Sequence, residues 1–192
     1  MPRGINTAVA AGLGVISMLW TWPASANVTV IGGGFAEDCF KYAKAVSTYG
    51  GPRVDAIHLC TLALDQEPLD IHDRASTYVN RGVLYLAASK YVDALRDFNS
   101  ALEVEPGLGE ALVNRGAALI GQGHDTDAIA DISRGLTFNP VEPEKAYFNR
   151  AIAEERLNDL KAAYYDYRKA LELKPSWTMP QTELTRFTVV EK

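Results

Sequence analysis

Much of what carries chemistry is absent or scarce in this chain of 192 residues. Its three histidines stand apart at His58, His72 and His124, with no HExxH pair and no mixed His/Cys cluster, so neither a metal centre nor another cofactor is expected. No nucleophile elbow and no phosphate-cradling glycine loop lies between a strand and a helix. Carboxylates such as Glu154 and Glu155 read as solvated helix faces, and the chain is not expected to be an enzyme. Dense basic runs are also lacking: the net charge is −5 and the pI about 5.2, which removes the electrostatic footprint that nucleic acid requires. The one long apolar run, Ala8 to Trp20, holds 13 residues. That is short of the roughly 20 that cross a bilayer.

What is present begins with an address. Arg3 precedes that apolar run, and "TWPASAN" then sets small residues at Ala24 and Ala26, the pattern a signal peptidase accepts. Residues 1–26 are expected to be a signal peptide cleaved after Ala26, with retention as an anchor the alternative. No cysteine follows the cleavage site, so a lipid anchor is not suggested. The remaining chain loses only Arg3 among its charges, giving 18 basic against 24 acidic residues. It is expected to be exported and soluble, without an integral membrane span, and periplasmic if the source is Gram-negative. Residues 27–36 read as a flexible linker, because the glycines Gly32 to Gly34 are not followed by the second strand that a dinucleotide site needs. In an oxidising compartment the even pair Cys39 and Cys60 favours a disulfide over a metal or redox site.

The rest of the chain repeats. "YVNRG" at Tyr78–Gly82 returns as "LVNRG" at Leu112–Gly116 and as "YFNRA" at Tyr147–Ala151. At 12, 16, 19 and 24 residues after Gly82 stand Ala94, Phe98, Ala101 and Pro106. The same offsets give Ala128, Ile132, Gly135 and Pro140 after Gly116, and Ala163, Tyr167, Ala170 and Pro175 after Ala151. A fainter copy, Ala56, Cys60, Ala63 and Pro68, comes first. Apolar residues three and four apart within each copy, broken at Ser89–Lys90, "GQGHD" and "LNDL", make every copy a helical hairpin.

A period of 34 residues with this order of small, aromatic, alanine and proline signals resembles the tetratricopeptide repeat. The resemblance implies an all-α fold, a right-handed α-solenoid of about four helical hairpins over residues 37–177. The repeats would be 37–70, 75–108, 109–142 and 144–177, with "IHDR" at Ile71–Arg74 as a spacer. Residues 178–192 would form a capping helix and tail. It further implies a protein–protein interaction module whose concave groove takes an extended peptide. The departures are Tyr78, Leu112 and Tyr147 in place of the family's tryptophan, and Leu119 and Glu154 where Tyr85 stands in the second repeat.

On this frame the recurring motif divides by residue. Gly82 and Gly116 let the paired helices touch. Arg81, Arg115 and Arg150 are each followed 16 residues later by Asp97, Asp131 and Asp166, whereas the first copy has Ala43 and Leu59 at those places. Their joint presence and absence predicts an ion pair across each hairpin. The same antiparallel level brings Cys39 opposite Cys60. Asn80, Asn114 and Asn149 are left for the groove, where amides can both donate to and accept from a peptide backbone. Val79, Val83, Val113, Ala117, Phe148 and Ile152 would form its apolar floor, with Lys41 facing it from the first repeat. An acidic C-terminal ligand is not expected, because Ser76, Glu110 and Ala45 stand where a clamp would need bases and an amide. The partner is expected to be another envelope or secreted protein. Self-association, with the groove filled by the tail "TVVEK" or a second copy, is the alternative, and a carbohydrate binder using Tyr42, Tyr49 and Phe148 is a third.

Overall fold

Each repeat carries two amphipathic runs joined by a turn that helix geometry cannot continue, and the chain folds accordingly into consecutive antiparallel helix pairs. The computed structural model describes residues 5–10, 34–49 and 54–191. The first hairpin is α1 (Phe35–Tyr49) with α2 (Val54–Gln66), and the second is α3 (Ile71–Ala87) with α4 (Tyr91–Val104). The third is α5 (Gly109–Gly121) with α6 (Asp125–Leu136), and the fourth is α7 (Pro143–Arg156) with α8 (Leu160–Leu173). A short α9 (Thr178–Leu184) lies on α8. Within each hairpin the helices pack on one another. The first helices also touch in succession, α1 on α3, α3 on α5 and α5 on α7, so the hairpins stack as an α-solenoid.

The hairpin turns share one device. Ser89, Gly123 and Asn158 occupy equivalent places and all have positive φ, at 56°, 81° and 63°. Each lets the next amide reach back over the helix end: Lys90 N–H to Tyr85 C=O, His124 to Leu119 and Asp159 to Glu154, at 2.9 Å in all three. This is the left-handed C-terminal cap, which satisfies otherwise orphaned carbonyls. Sequence reading located the turns, while the handedness follows from Gly and Asn, with Ser89 the exception that tolerates the strain.

Close approach sets the level of each pair. A Cβ added at Gly82 would lie 2.5 Å from Cε1 of the fully buried Phe98, and one at Gly116 would lie 2.5 Å from Cγ1 of Ile132. The cores run along these seams, with Ala75, Val79, Leu84, Ala94, Phe98 and Ala101 buried in the second hairpin. In the fourth, Phe148 lies 5.5 Å from Tyr167 and 4.9 Å from Trp177 between ring centroids.

Cys39 on α1 and Cys60 on α2 are joined by a disulfide, with Cα atoms 4.9 Å apart and no surface exposed. The start of α1 is tied to the end of α2, where Glu67 accepts from the Phe35 and Ala36 amides at 2.6 and 3.1 Å. A carboxylate at a helix N-terminus satisfies orphan donors and meets the positive end of the dipole.

Three parts of the chain differ from expectation. Ile71–Arg74 is no spacer but the first turn of α3, because Asp70 accepts from the Asp73 amide at 2.8 Å and caps the helix there. Phe35 and Ala36, expected in a linker, open α1; residues 27–33 of that linker lie outside the described residues. The tail is a strand, β2 (Phe187–Glu191), antiparallel to β1 (Ile5–Ala10), with Ala10 opposite Phe187 and Ile5 opposite Glu191. β1 packs on α8, so this two-stranded ladder sits beside the last hairpin, not in a groove. β1 falls within the expected leader, and residues 11–26 of that leader lie outside the described residues.

Two outcomes test these devices. Ser89→Gly should stabilise the protein by about 0.5–1 kcal/mol, since glycine accepts the left-handed conformation without a Cβ penalty; equilibrium denaturation measures it. Reducing the Cys39–Cys60 bond, which closes a loop of 21 residues, should cost about 3 kcal/mol in the same assay.

Candidate functional site

The ion pairs form a ladder through the stack. Arg81 donates through Nε and Nη2 to both oxygens of Asp97 at 2.7 and 2.8 Å, and Arg115 does the same to Asp131 at 2.6 and 2.8 Å. Arg150 holds Asp166 at 2.6 and 3.0 Å. The planar guanidinium matches a carboxylate in this two-point geometry, which fixes helix register as well as charge.

Each arginine has a third partner that sequence reading missed. Arg81 Nη1 donates to Thr61 Oγ1 at 3.0 Å, Arg115 Nη1 to Asn99 Oδ1 at 2.9 Å and Arg150 Nη1 to Ser133 Oγ at 3.0 Å. These acceptors lie on α2, α4 and α6, the second helices of the preceding hairpins. Every arginine therefore ties three helices and two repeats. The signal was available in the letters: Asn99 and Ser133 stand two residues after Asp97 and Asp131, and Thr61 two after Leu59. Its chemistry differs at each place, so no single letter repeats.

Burial along the ladder is uneven. The Asp97 side chain is 3% exposed, against 16% for Asp131. Burial pushes the Asp97 carboxyl up, and the Arg81 hydrogen bond and charge offset only part of that. The hydrogen bond to Asp131 is the main cause that raises Arg115. In the fourth hairpin Glu154 joins the network, with Oε1 3.7 Å from Arg150 Nε and Oε2 buried without a hydrogen bond. Burial and the nearby Asp166 charge push its carboxyl up to about 8, with Arg150 opposing.

The residues expected in the groove occupy the row of first helices: Val79, Asn80 and Val83 on α3, Val113, Asn114 and Ala117 on α5, and Phe148, Asn149 and Ile152 on α7. They differ from expectation in burial. All three asparagines are at 0% exposure, and none of the apolar six exceeds 8%. The amides are thus not displayed to solvent. Phe148 is a core side chain between Tyr167 and Trp177, which takes it out of any carbohydrate platform. Tyr42 is exposed, and the Tyr49 side chain lies outside the described positions. Lys41 does not join the others: its ammonium is held by Glu37 at 2.7 Å and Asp38 at 3.6 Å on its own helix.

Two polar side chains on α3 stand out. Ser76 Oγ and both polar atoms of Asn80, one helical turn apart, are buried without a hydrogen-bond partner. Leaving such groups unmet costs about 1–3 kcal/mol each. Among the described residues, no group of three or more His, Cys, Asp or Glu could hold a metal ion, and no helix is long and apolar enough to cross a membrane.

Stacked hairpins with an arginine at every junction define a helical-repeat solenoid. The chain carries a tetratricopeptide repeat: residues 144–176 match the tetratricopeptide repeat family model, and the Arabidopsis OM64 TPR domain shares the fold of the stack, with 21% identity and a TM-score of 0.58 over 61% of this chain and 96% of that one. Among curated proteins it is 32% identical over 111 residues to tetratricopeptide repeat protein 13 of Homo sapiens, covering 54% of this chain and 13% of that protein. The chain spans from 13% to 27% of the length of the curated relatives it matches. The first TPR of Spaghetti (RPAP3), solved bound to HSP90 peptide SRMEEVD, is 26% identical with a TM-score of 0.54, covering 58% of this chain and 87% of that one. MamA 41-end from Desulfovibrio magneticus RS-1 shares the fold, with 18% identity and a TM-score of 0.60 over 79% of this chain and 82% of that one.

Arg81→Leu and Arg115→Leu should each destabilise by about 2–4 kcal/mol by stranding a carboxylate, with the larger loss at Arg81 because Asp97 is the more deeply buried. Paired urea titrations decide the order. Glu154 has a folded pKa of about 8, above its ordinary 4.5, so the penalty of its charge is absent below pH 4.5 and grows up to pH 8. Glu154→Gln should therefore stabilise at pH 8.5 by roughly 1–2 kcal/mol, discounted for solvent access, and give no gain at pH 4. Melting temperatures at the two pH values check the sign.

Proposed function

We propose that this protein is a non-enzymatic binding module that holds an extended segment of another protein along its row of first helices. The supporting observation is the partnerless pair Ser76 and Asn80, embedded among Val79 and Val83 on α3. A peptide backbone carries the donors and acceptors these groups lack, and meeting them would remove a standing cost. Neighbouring apolar side chains supply the complementary surface. Because those residues are covered in this conformation, binding requires the first helices to part slightly at α3.

The ligand class follows from charge. The Spaghetti repeat domain binds an acidic peptide, but here Lys41 is neutralised by Glu37 and Asp38, and Lys145 donates to Glu142 at 2.8 Å. The segment bound is thus apolar and uncharged, and the partner is an envelope or secreted protein if the leader directs export and is removed after Ala26. No step of covalent chemistry belongs to this reading.

Co-purification from the native host tests it. Asn80→Ala together with Ser76→Ala should keep or raise thermal stability, because each change removes an unmet polar group, yet should lower recovery of the partner at least tenfold. Recovery equal to wild type would overturn the proposed role of α3. The mass of the mature chain, measured intact, checks cleavage after Ala26.

A further inference from the structure

The proposed leader and the ladder at the end of the stack cannot coexist after cleavage, because β1 belongs to residues 1–26. The last hairpin is built to receive a strand. β2 runs Phe187–Glu191 with the sequence FTVVE, whose β-branched and aromatic residues suit a pleated strand. Its first side chain is anchored: Phe187 is 9% exposed and lies 5.8 Å from the Tyr164 ring and 6.0 Å from the Tyr167 ring. The turn before it is held by Arg186, which bonds Glu155 at 2.7 Å and pairs with Glu183. A strand fixed at its root in this way presents its backbone in one place. Beside it lies a cleft of about 440 Å³ lined by Tyr164, Arg168, Leu171, Glu172, Leu184 and Phe187.

We propose that the β2 edge on α8 is a second docking site, separate from the first-helix row, which takes an extended uncharged strand of another protein by antiparallel strand addition. Residues 5–10, INTAVA, are its stand-in within the uncleaved chain. They carry no charge, pair antiparallel with β2 and pack on α8, which shows the geometry that an incoming strand would adopt. An unpaired strand edge is a template for such addition, with backbone hydrogen bonds giving affinity. The register sets Ala10 opposite Phe187 and Ile5 opposite Glu191, with a shift between Ile5 and Thr7. A second copy fits less well. Two β2 strands paired antiparallel about Val189 would set Phe187 against Glu191 at both ends. Removal of the leader would then convert a filled site into an open one.

The test uses the full chain. Adjacent strand residues point their N–H groups to opposite edges, so Ala8→Pro with Val9→Pro removes a ladder donor whichever way β1 faces. Hydrogen exchange of the 187–191 amides is followed in the wild type and in this variant, with and without the acetylated, amidated hexapeptide of residues 5–10. Protection in the variant should fall at least tenfold and be recovered saturably by the peptide, while the wild type binds none. Unchanged protection in the variant, or a fall that the peptide does not reverse, overturns the proposal. Recovery on raising protein concentration alone, with a doubled mass in light scattering, assigns the edge to a second copy and overturns it also. Partner recovery through Ser76 and Asn80 is read separately, so either site can fail alone.

Discussion

The constraint on which the stack depends is the guanidinium lodged between three helices. A buried carboxylate on the second helix of a hairpin is tolerable only because an arginine meets both of its oxygens, and that arginine has one nitrogen left to spend. It goes to a hydroxyl or an amide on the preceding hairpin. Register within a repeat and the seating of one repeat on the next are thereby set by the same side chain. The surrounding apolar contacts supply most of the driving force, and the close approach of Gly82 to Phe98 and of Gly116 to Ile132 fixes the same level within a hairpin. The arginine adds the tie to the hairpin before. Where the ladder has no rung, in the first hairpin, a covalent bond between Cys39 and Cys60 holds the two helices instead.

Function, on the reading offered here, lives where the packing rules are broken. Among the described residues, the unmet atoms of Ser76 and Asn80 mark a place where the fold accepts a cost. Glu154 is a second such place, a carboxylate held beside the ladder with one oxygen unsatisfied. It sits where the family's aromatic residue would lie, at the position Tyr85 fills in the second hairpin.

The fold was largely legible because tetratricopeptide signals repeat at fixed spacing, and a spacing of 16 between opposite charges repeats only if those charges meet. The cysteine pairing was legible for the same reason, through the antiparallel level that glycine and alanine impose. Burial was not. Periodicity assigns Asn80, Asn114 and Asn149 to a face but not the depth of that face, which depends on tertiary packing and leaves all three fully buried. Phe148 looked like groove floor by spacing and is core, because Trp177, between α8 and α9, folds back to cover it. The pairing of Ile5–Ala10 with the tail joins opposite ends of the chain, and no local pattern encodes a contact across that separation. A capped α3 swallowed the four extra residues at Ile71–Arg74, since one aspartate upstream sufficed to start a helix early.

One position closes the series. The acceptor that greets each incoming arginine is Thr61, then Asn99, then Ser133, and the equivalent place on α8 is Arg168, exposed and lying over the Tyr164 ring. An arginine offered there by any further hairpin would meet its own charge. The chemistry that seats each hairpin on the one before it thus stands with its sign reversed at the last rung, on the helix that α9 and β1 cover.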